Sequence, residues 1–155
     1  MREVEVSRIS DEIKEMCIEI NHFLSKDMKE MFCQAGQKEE SPLGKKVIAQ
    51  LQENLAIAEK EMIPICQDTG MAVVFLEVGQ EVHLVGGDIE AAINEGIRKG
   101  YGEGFLRKSV VSDPILRENT KDNTPGVIYY KIVPGDKVKI TLAPKGFGSE
   151  NMSRI

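Results

Sequence analysis

The chain has 155 residues, 41% of them hydrophobic, enough for one domain with a buried core. A net charge of -5 and an isoelectric point near 5.2 argue against a nucleic-acid-binding surface and leave no basic face for a membrane. No apolar run approaches the ~18 residues of a membrane span, and Met1-Arg2-Glu3-Val4-Glu5 lacks the apolar core of a signal peptide, so the expected location is the cytoplasm.

From Ser10 the pattern is helical. Ser10 serves as a cap, Asp11 and Glu12 suit the positive end of the helix, and Ile13, Met16, Cys17, Ile20 and Leu24 recur at helical spacing. Cys17 lies on that apolar stripe, and His22 falls near the helix end as a surface or end-of-helix residue. Asp27 to Ala35 reads as a second short helix with Gly36 as its stop. Ser41-Pro42 then opens a third, whose face is Leu43, Val47, Leu51, Leu55 and Ala58, up to Lys60. The three together predict a helical N-terminal layer over residues 1–60.

The loop Pro64-Ile65-Cys66-Gln67-Asp68-Thr69-Gly70 follows, at a helix-to-strand junction. It gathers a thiol, an amide, a carboxylate and a hydroxyl directly before an apolar run, which suits a site better than a core. Strands are expected at 71–78 and 81–85, with His83 as an edge residue, and a helix over 87–100 ended by Gly100, Gly102 and Gly104. Residues 105–125 form a second polar centre, where the guanidinium forks of Arg107 and Arg117 suit a carboxylate. Strands at 127–133 and 138–142 are joined by Pro134-Gly135-Asp136-Lys137, which reads as a hairpin turn. In the glycine-rich Ala143–Gly148 stretch, backbone N–H groups can face an anion, and Ser149 reads as the N-cap of another helix. Cys17, Cys33 and Cys66 have no CxxC spacing, so a disulfide framework is not expected. The fold class expected is α+β: the helical layer, then residues 61–155 carrying a small mixed or antiparallel sheet of those four strands with the 87–100 helix packed on it.

Four stretches carry a resemblance to a known family. They are Pro64–Gly70, Arg107-Lys108-Ser109-Val110-Val111-Ser112-Asp113-Pro114, Arg117–Pro125, and Ala143–Met152. In this order the chain resembles the N-terminal part of the α subunit, or N-terminal domain, of class I iron–sulfur fumarate hydratase, and the similar L(+)-tartrate dehydratase α subunit. The resemblance implies a hydro-lyase that adds water across fumarate to give L-malate on a 4Fe-4S cluster held by three cysteines. It places Cys66 as the first cluster ligand, Gln67 and Arg107 on the substrate, and Asp68 in the proton transfer. Gly146 and Gly148 would provide backbone contacts near the cluster. The roles of Arg117, Asn119 and Thr120 stay open.

The family's other two cluster cysteines lie downstream of the glycine-rich loop, where this chain has none, and Cys17 and Cys33 do not match their positions. The expectation is therefore a part of a larger subunit, inactive alone and truncated relative to the family. Its partners would be the remaining C-terminal part of the α subunit and a β subunit or C-terminal domain, with self-association through exposed apolar surface. Two other readings differ in class. One is a non-catalytic module that binds a partner subunit or a dicarboxylate. The other is a stand-alone metal or redox domain using Cys17, Cys33 and Cys66.

Overall fold

The computed structural model describes residues 1–148, so the cap expected at Ser149 lies outside the described residues. A short strand opens the chain (β1, Arg2–Glu5), followed by three helices: α1 (Val6–His22), α2 (Lys26–Lys38) and α3 (Pro42–Glu61). Strands β2 (Met71–Gly79) and β3 (Val82–Val85) come next, then helix α4 (Ile89–Glu103) and strands β4 (Val127–Val133) and β5 (Val138–Lys145). The class is α+β, as expected.

The sheet is not the four-stranded one expected. Its order is β4-β2-β5, with β2 parallel to β4 and antiparallel to β5, so it is mixed. β3 leaves it and pairs in parallel with β1, giving a separate two-stranded sheet. The expected hairpin of β4 and β5 is also overturned, because β2 lies between them. The Pro134–Lys137 turn instead wraps the end of β2: Gly79 N–H donates to the Lys137 carbonyl at 2.9 Å and Gln80 N–H to that of Val133 at 2.8 Å. A turn signal sets a local reversal. It does not choose the partner strand.

The core lies between the sheet and the pair α1 and α4. Alternate residues of β2, Ala72, Val74, Leu76 and Val78, face Ile9, Ile13 and Cys17 of α1 and Ile93, Ile97 and Tyr101 of α4. Alternation on a strand and a three-to-four spacing on each helix bring one apolar face from every element to the same volume. The opposite face of the sheet is open, with Phe75 stacked on Tyr129 at 5.2 Å between ring centroids and Lys131 and Lys139 beside Glu77.

α1 starts at Val6, before the expected cap, and Ser10 is buried inside it. His22 is its last residue, an end-of-helix position, and is buried; its Nδ1–H donates to the Ile18 carbonyl at 2.7 Å. α2 runs past Gly36 to Lys38 and buries no residue fully, while α3 begins as expected, with the Ser41 hydroxyl accepting from Gly44 N–H at 3.4 Å. These two helices pack on each other as a hairpin, leaving Met31, Leu43 and Ile57 exposed.

Gly100 does not end α4, which continues to Glu103. It serves packing instead. A Cβ at Gly100 would lie 2.6 Å from Cys17 Cβ and 2.9 Å from the Lys14 carbonyl, and one at Gly96 would press on the Ser10 carbonyl, so these glycines let α1 and α4 approach closely. Gly102 faces open space. Gly100→Ala is expected to destabilise the fold by about 1–3 kcal/mol through overpacking, whereas Gly102→Ala stabilises it by about 0.5–1 kcal/mol through helix propensity. Thermal unfolding of the two variants checks the opposite signs.

Candidate active site

The loop Cys66–Gly70 is fixed at several points. Ile65 N–H donates to the Asn21 carbonyl at 2.8 Å, and the Asn54 side chain donates to the Ile65 carbonyl at 2.8 Å, which ties the approach to the end of α1 and the interior of α3. Asp68 N–H donates to Cys66 Sγ at 3.4 Å, and Asp68 Oδ1 accepts from Gly70 N–H at 3.0 Å, so the carboxylate folds over its own turn. Gly70 has φ +62, and a Cβ there would meet the Lys145 carbonyl and Gly146 nitrogen. Only glycine suits both that backbone and that contact. The Thr69 hydroxyl is buried and donates to the Arg107 carbonyl at 3.0 Å.

Behind the loop stand two buried side chains. Tyr101 of α4 donates from its hydroxyl to the Thr69 carbonyl at 2.8 Å; burial raises its pKa, with Cys17 adding to the shift, so it remains a donor. Asn123 donates from Nδ2 to the Gly70 carbonyl at 3.1 Å and accepts through Oδ1 from the N–H groups of Ser109, at 2.7 Å, and Val110, at 3.1 Å. Neither was singled out from the sequence. Asn123 belongs to an Asp-Asn-Thr-Pro turn, and nothing local distinguishes it from an exposed turn residue.

These constraints open a cavity of about 470 Å³ lined by Cys66, Gln67, Asp68, Arg107, Ser109, Phe147 and Gly148. Five of the six expected site residues border it. Gly146, the sixth, adjoins Gly70 at the rim. Of the two arginines of residues 105–125, Arg107 lines the cavity and Arg117 does not. Arg117 instead sits in a self-bonded loop: its N–H donates to the Asp113 carbonyl at 2.8 Å, and Val111 bridges Asn119. Asn119 donates to the Lys108 carbonyl at 2.9 Å and Thr120 N–H to that of Val110 at 3.0 Å, so both brace the backbone beside Arg107. The Ser109 hydroxyl is buried and has no hydrogen-bond partner among the described residues.

The three thiols have separate environments. Cys66 is exposed at the cavity. Cys17 is buried in the core, where burial pushes its thiol up to about 12, and Cys33 is exposed on α2 beside Gln52. Neither Cys17 nor Cys33 borders the cavity.

Asp122, next to Asn123, anchors the 107–124 segment to α4. Burial opposes its charge, but hydrogen bonds from the Thr124 N–H and hydroxyl, Arg98 and Thr120 outweigh it and hold the carboxyl at about 2. Because the folded value lies below the unfolded one of 3.8, the carboxylate's contribution is complete above about pH 4 and is lost as pH falls toward 2. Asp122→Asn is expected to cost about 1–2 kcal/mol at pH 7, after allowance for its partial exposure, with the gap from wild type closing below about pH 4. Denaturant unfolding at several pH values checks the sign.

The fumarate hydratase (Fumerase) family profile matches residues 10–155 of the chain. The chain belongs to the fumarate hydratase family. Among relatives in that family, a putative L(+)-tartrate dehydratase subunit alpha of Methanocaldococcus jannaschii is 36% identical over 96% of this chain and 54% of its own length. The aerobic class I fumarate hydratase of Escherichia coli is 40% identical over 76% of this chain and 22% of its own length. Fumarate hydratase 2 of Leishmania major is 33% identical over 88% of this chain and 24% of its own length. The chain thus spans about half, or less, of the fumarate hydratase relatives it matches. Among the described residues, no helix is long and apolar enough to cross a membrane.

Proposed function

We propose that this chain is one part of an iron–sulfur hydro-lyase that reversibly hydrates fumarate to L-malate, supplying one cluster cysteine and part of the substrate pocket. The observation that carries this reading is the meeting of Cys66, Gln67, Asp68 and Arg107 around one cavity, from loops far apart in sequence, in a member of the fumarate hydratase family. A cavity of a few hundred Å³ suits a small ligand.

A cluster needs several thiolates converging on one place. Cys66 fits one of those positions: it is exposed at the cavity, with the Asp68 N–H directed at its sulfur. Among the described residues no group of three or more His, Cys, Asp and Glu side chains gathers as a metal site. The remaining ligands in this reading come from the rest of the enzyme, the C-terminal part of the α subunit, with a β subunit or C-terminal domain completing the pocket. The open outer face of the sheet and the exposed α2–α3 hairpin support placement in a larger assembly, and also self-association. Residues 1–60 act as the helical layer and residues 61–155 carry the site loops, within one structural domain.

A bound cluster supplies Lewis-acid stabilisation of a substrate oxygen. The chain's own residues do the rest. Arg107 holds a substrate carboxylate with its planar fork. Gln67 orients the substrate through its amide, and the Ser109 hydroxyl offers a further donor that has no partner among the described residues. Asp68 Oδ2 moves the proton at the substrate carbon while Oδ1 stays bonded to Gly70 N–H. Gly146 and Gly148 keep side chains out of the rim, so that backbone approaches the ligand.

The test is anaerobic assay of fumarate hydration by the chain assembled with its C-terminal part and β subunit, beside the chain alone. Turnover by the assembly and none by the isolated chain is expected. Hydration by the isolated chain would sink the proposal. A second reading, L(+)-tartrate as substrate, is favoured by the M. jannaschii relative, which matches nearly the whole chain. The relative turnover of fumarate and L(+)-tartrate by the same assembly separates the two.

A further inference from the structure

We propose that Asn123 is a positioning residue that sets the spacing between the two halves of the site, the 66–70 loop and the 107–110 loop. Its catalytic consequence rests on the hydro-lyase reading. Its structural part does not.

The two loops meet across the cavity without any strand pairing between them. Thr69 reaches the Arg107 carbonyl, and Tyr101 bonds to the Thr69 and Gly70 carbonyls and lies against the Asn123 side chain. Asn123 is the side chain that bonds to both loops at three points among the described residues, and it is fully buried. Its chemistry is specific. One amide oxygen accepts from two backbone N–H groups while the nitrogen of the same amide donates to a carbonyl, so oxygen and nitrogen ends are both used. The backbone at Asn123 has φ +63, the left-handed region that asparagine enters more readily than most side chains.

The anchored atoms sit two residues from the chemistry. Gly70, whose carbonyl Asn123 holds, follows Asp68 through the turn closed by the Asp68 carboxylate. Ser109, whose N–H Asn123 holds, follows Arg107. A shift in the amide therefore passes to the carboxylate that moves a proton and the guanidinium that holds the substrate. Misplacement by about 1 Å costs on the order of a hundredfold in rate.

Asn123→Gly tolerates the positive φ and removes all three bonds. Amide exchange of the full chain, followed residue by residue by NMR, is expected to quicken about tenfold or more at Asp68 and Gly70 and at Ser109 and Val110, with α4 unchanged. Asn123→Asp at pH 8 separates the halves: an ionised carboxylate still accepts from Ser109 and Val110 but cannot donate to Gly70. Only Asp68 and Gly70 should quicken. Tyr101→Phe should quicken chiefly the 66–70 side, since the Tyr101 hydroxyl bonds to the Thr69 and Gly70 carbonyls. In the assembled enzyme, Asn123→Gly is expected to lower kcat by about a hundredfold per folded molecule, with KM changing less than about threefold.

Unchanged exchange at Asp68 and Gly70 in both Asn123 variants would overturn the proposal, as would an equal rise throughout the chain. The same holds if kcat per folded molecule stays at the wild-type value in an active assembly. The exchange experiment needs neither cluster nor turnover, so an assembly inactive on both substrates would overturn the functional reading while leaving the clamp measurable.

Discussion

Cys66→Ala is expected to reduce fumarate hydration by the assembled enzyme at least about a thousandfold, because loss of a ligand removes the several kcal/mol that a Lewis acid contributes to the barrier. The fold should survive the change. Cys66 is exposed, and among the described residues its sulfur receives one bond, from Asp68 N–H at 3.4 Å, which is weak because sulfur is a poor acceptor. The loop keeps its other ties to Asn21, Asn54 and Tyr101. Co-purification with the C-terminal part and unchanged thermal unfolding, together with lost activity, would separate a ligand from a structural residue. Cys17→Ala and Cys33→Ala should leave kcat near wild type. Full activity in Cys66→Ala would remove the thiol from the reaction and favour a non-catalytic role for the loop.

The second large effect is expected at Asp68. Asp68→Asn should lower kcat by about 10²–10⁴, the usual contribution of a positioned acid or base. The substitution is close to isosteric. The asparagine oxygen still accepts from Gly70 N–H, so the turn is kept while the carboxylate's capacity to take a proton is lost. KM should change much less than kcat, since the Arg107 side of the cavity is untouched. Steady-state kinetics at saturating fumarate checks this. A variant that raised KM alone would make Asp68 a binding residue and place the proton transfer elsewhere.

Much of the fold was legible because its signals are local. The stripe Ile13, Met16, Cys17 and Ile20 defines α1, Ser41-Pro42 opens α3, and the alternation through Ala72, Val74, Leu76 and Val78 defines β2. β1 escaped notice because four residues, Arg2–Glu5, are too few to show a period, and their pairing with β3 is set by the whole fold. Strand order was unreadable for the same reason. The Pro134–Lys137 turn looks like any hairpin until β2 is found between its two strands. At Gly100 a local signal pointed the wrong way: glycine reads as a helix stop, but here α1 leaves no room for a Cβ.

In the site, the two polar loops stood out because Cys66, Gln67, Asp68 and Arg107 are poor core residues placed beside strong apolar runs. Their meeting round one cavity followed. Arg117 had the same chemistry as Arg107 on paper, yet it is exposed and lies off the cavity, in a loop whose backbone is held at Asp113 and by the Val111–Asn119 bridge. Asn123 was invisible for the opposite reason. Its importance lies in three bonds to residues that are distant in sequence, which no spacing encodes.

The most direct measurement is anaerobic reconstitution with iron and sulfide, followed by the visible spectrum, on the chain alone and on the assembly with its C-terminal part. It is made for wild type, Cys66→Ala and the Cys17→Ala/Cys33→Ala pair. The expected result is no stable cluster on the isolated chain, and a cluster in the assembly that requires Cys66 but neither Cys17 nor Cys33. A stable cluster on the isolated chain that needs all three thiols would contradict it, and would make this a self-contained iron–sulfur domain.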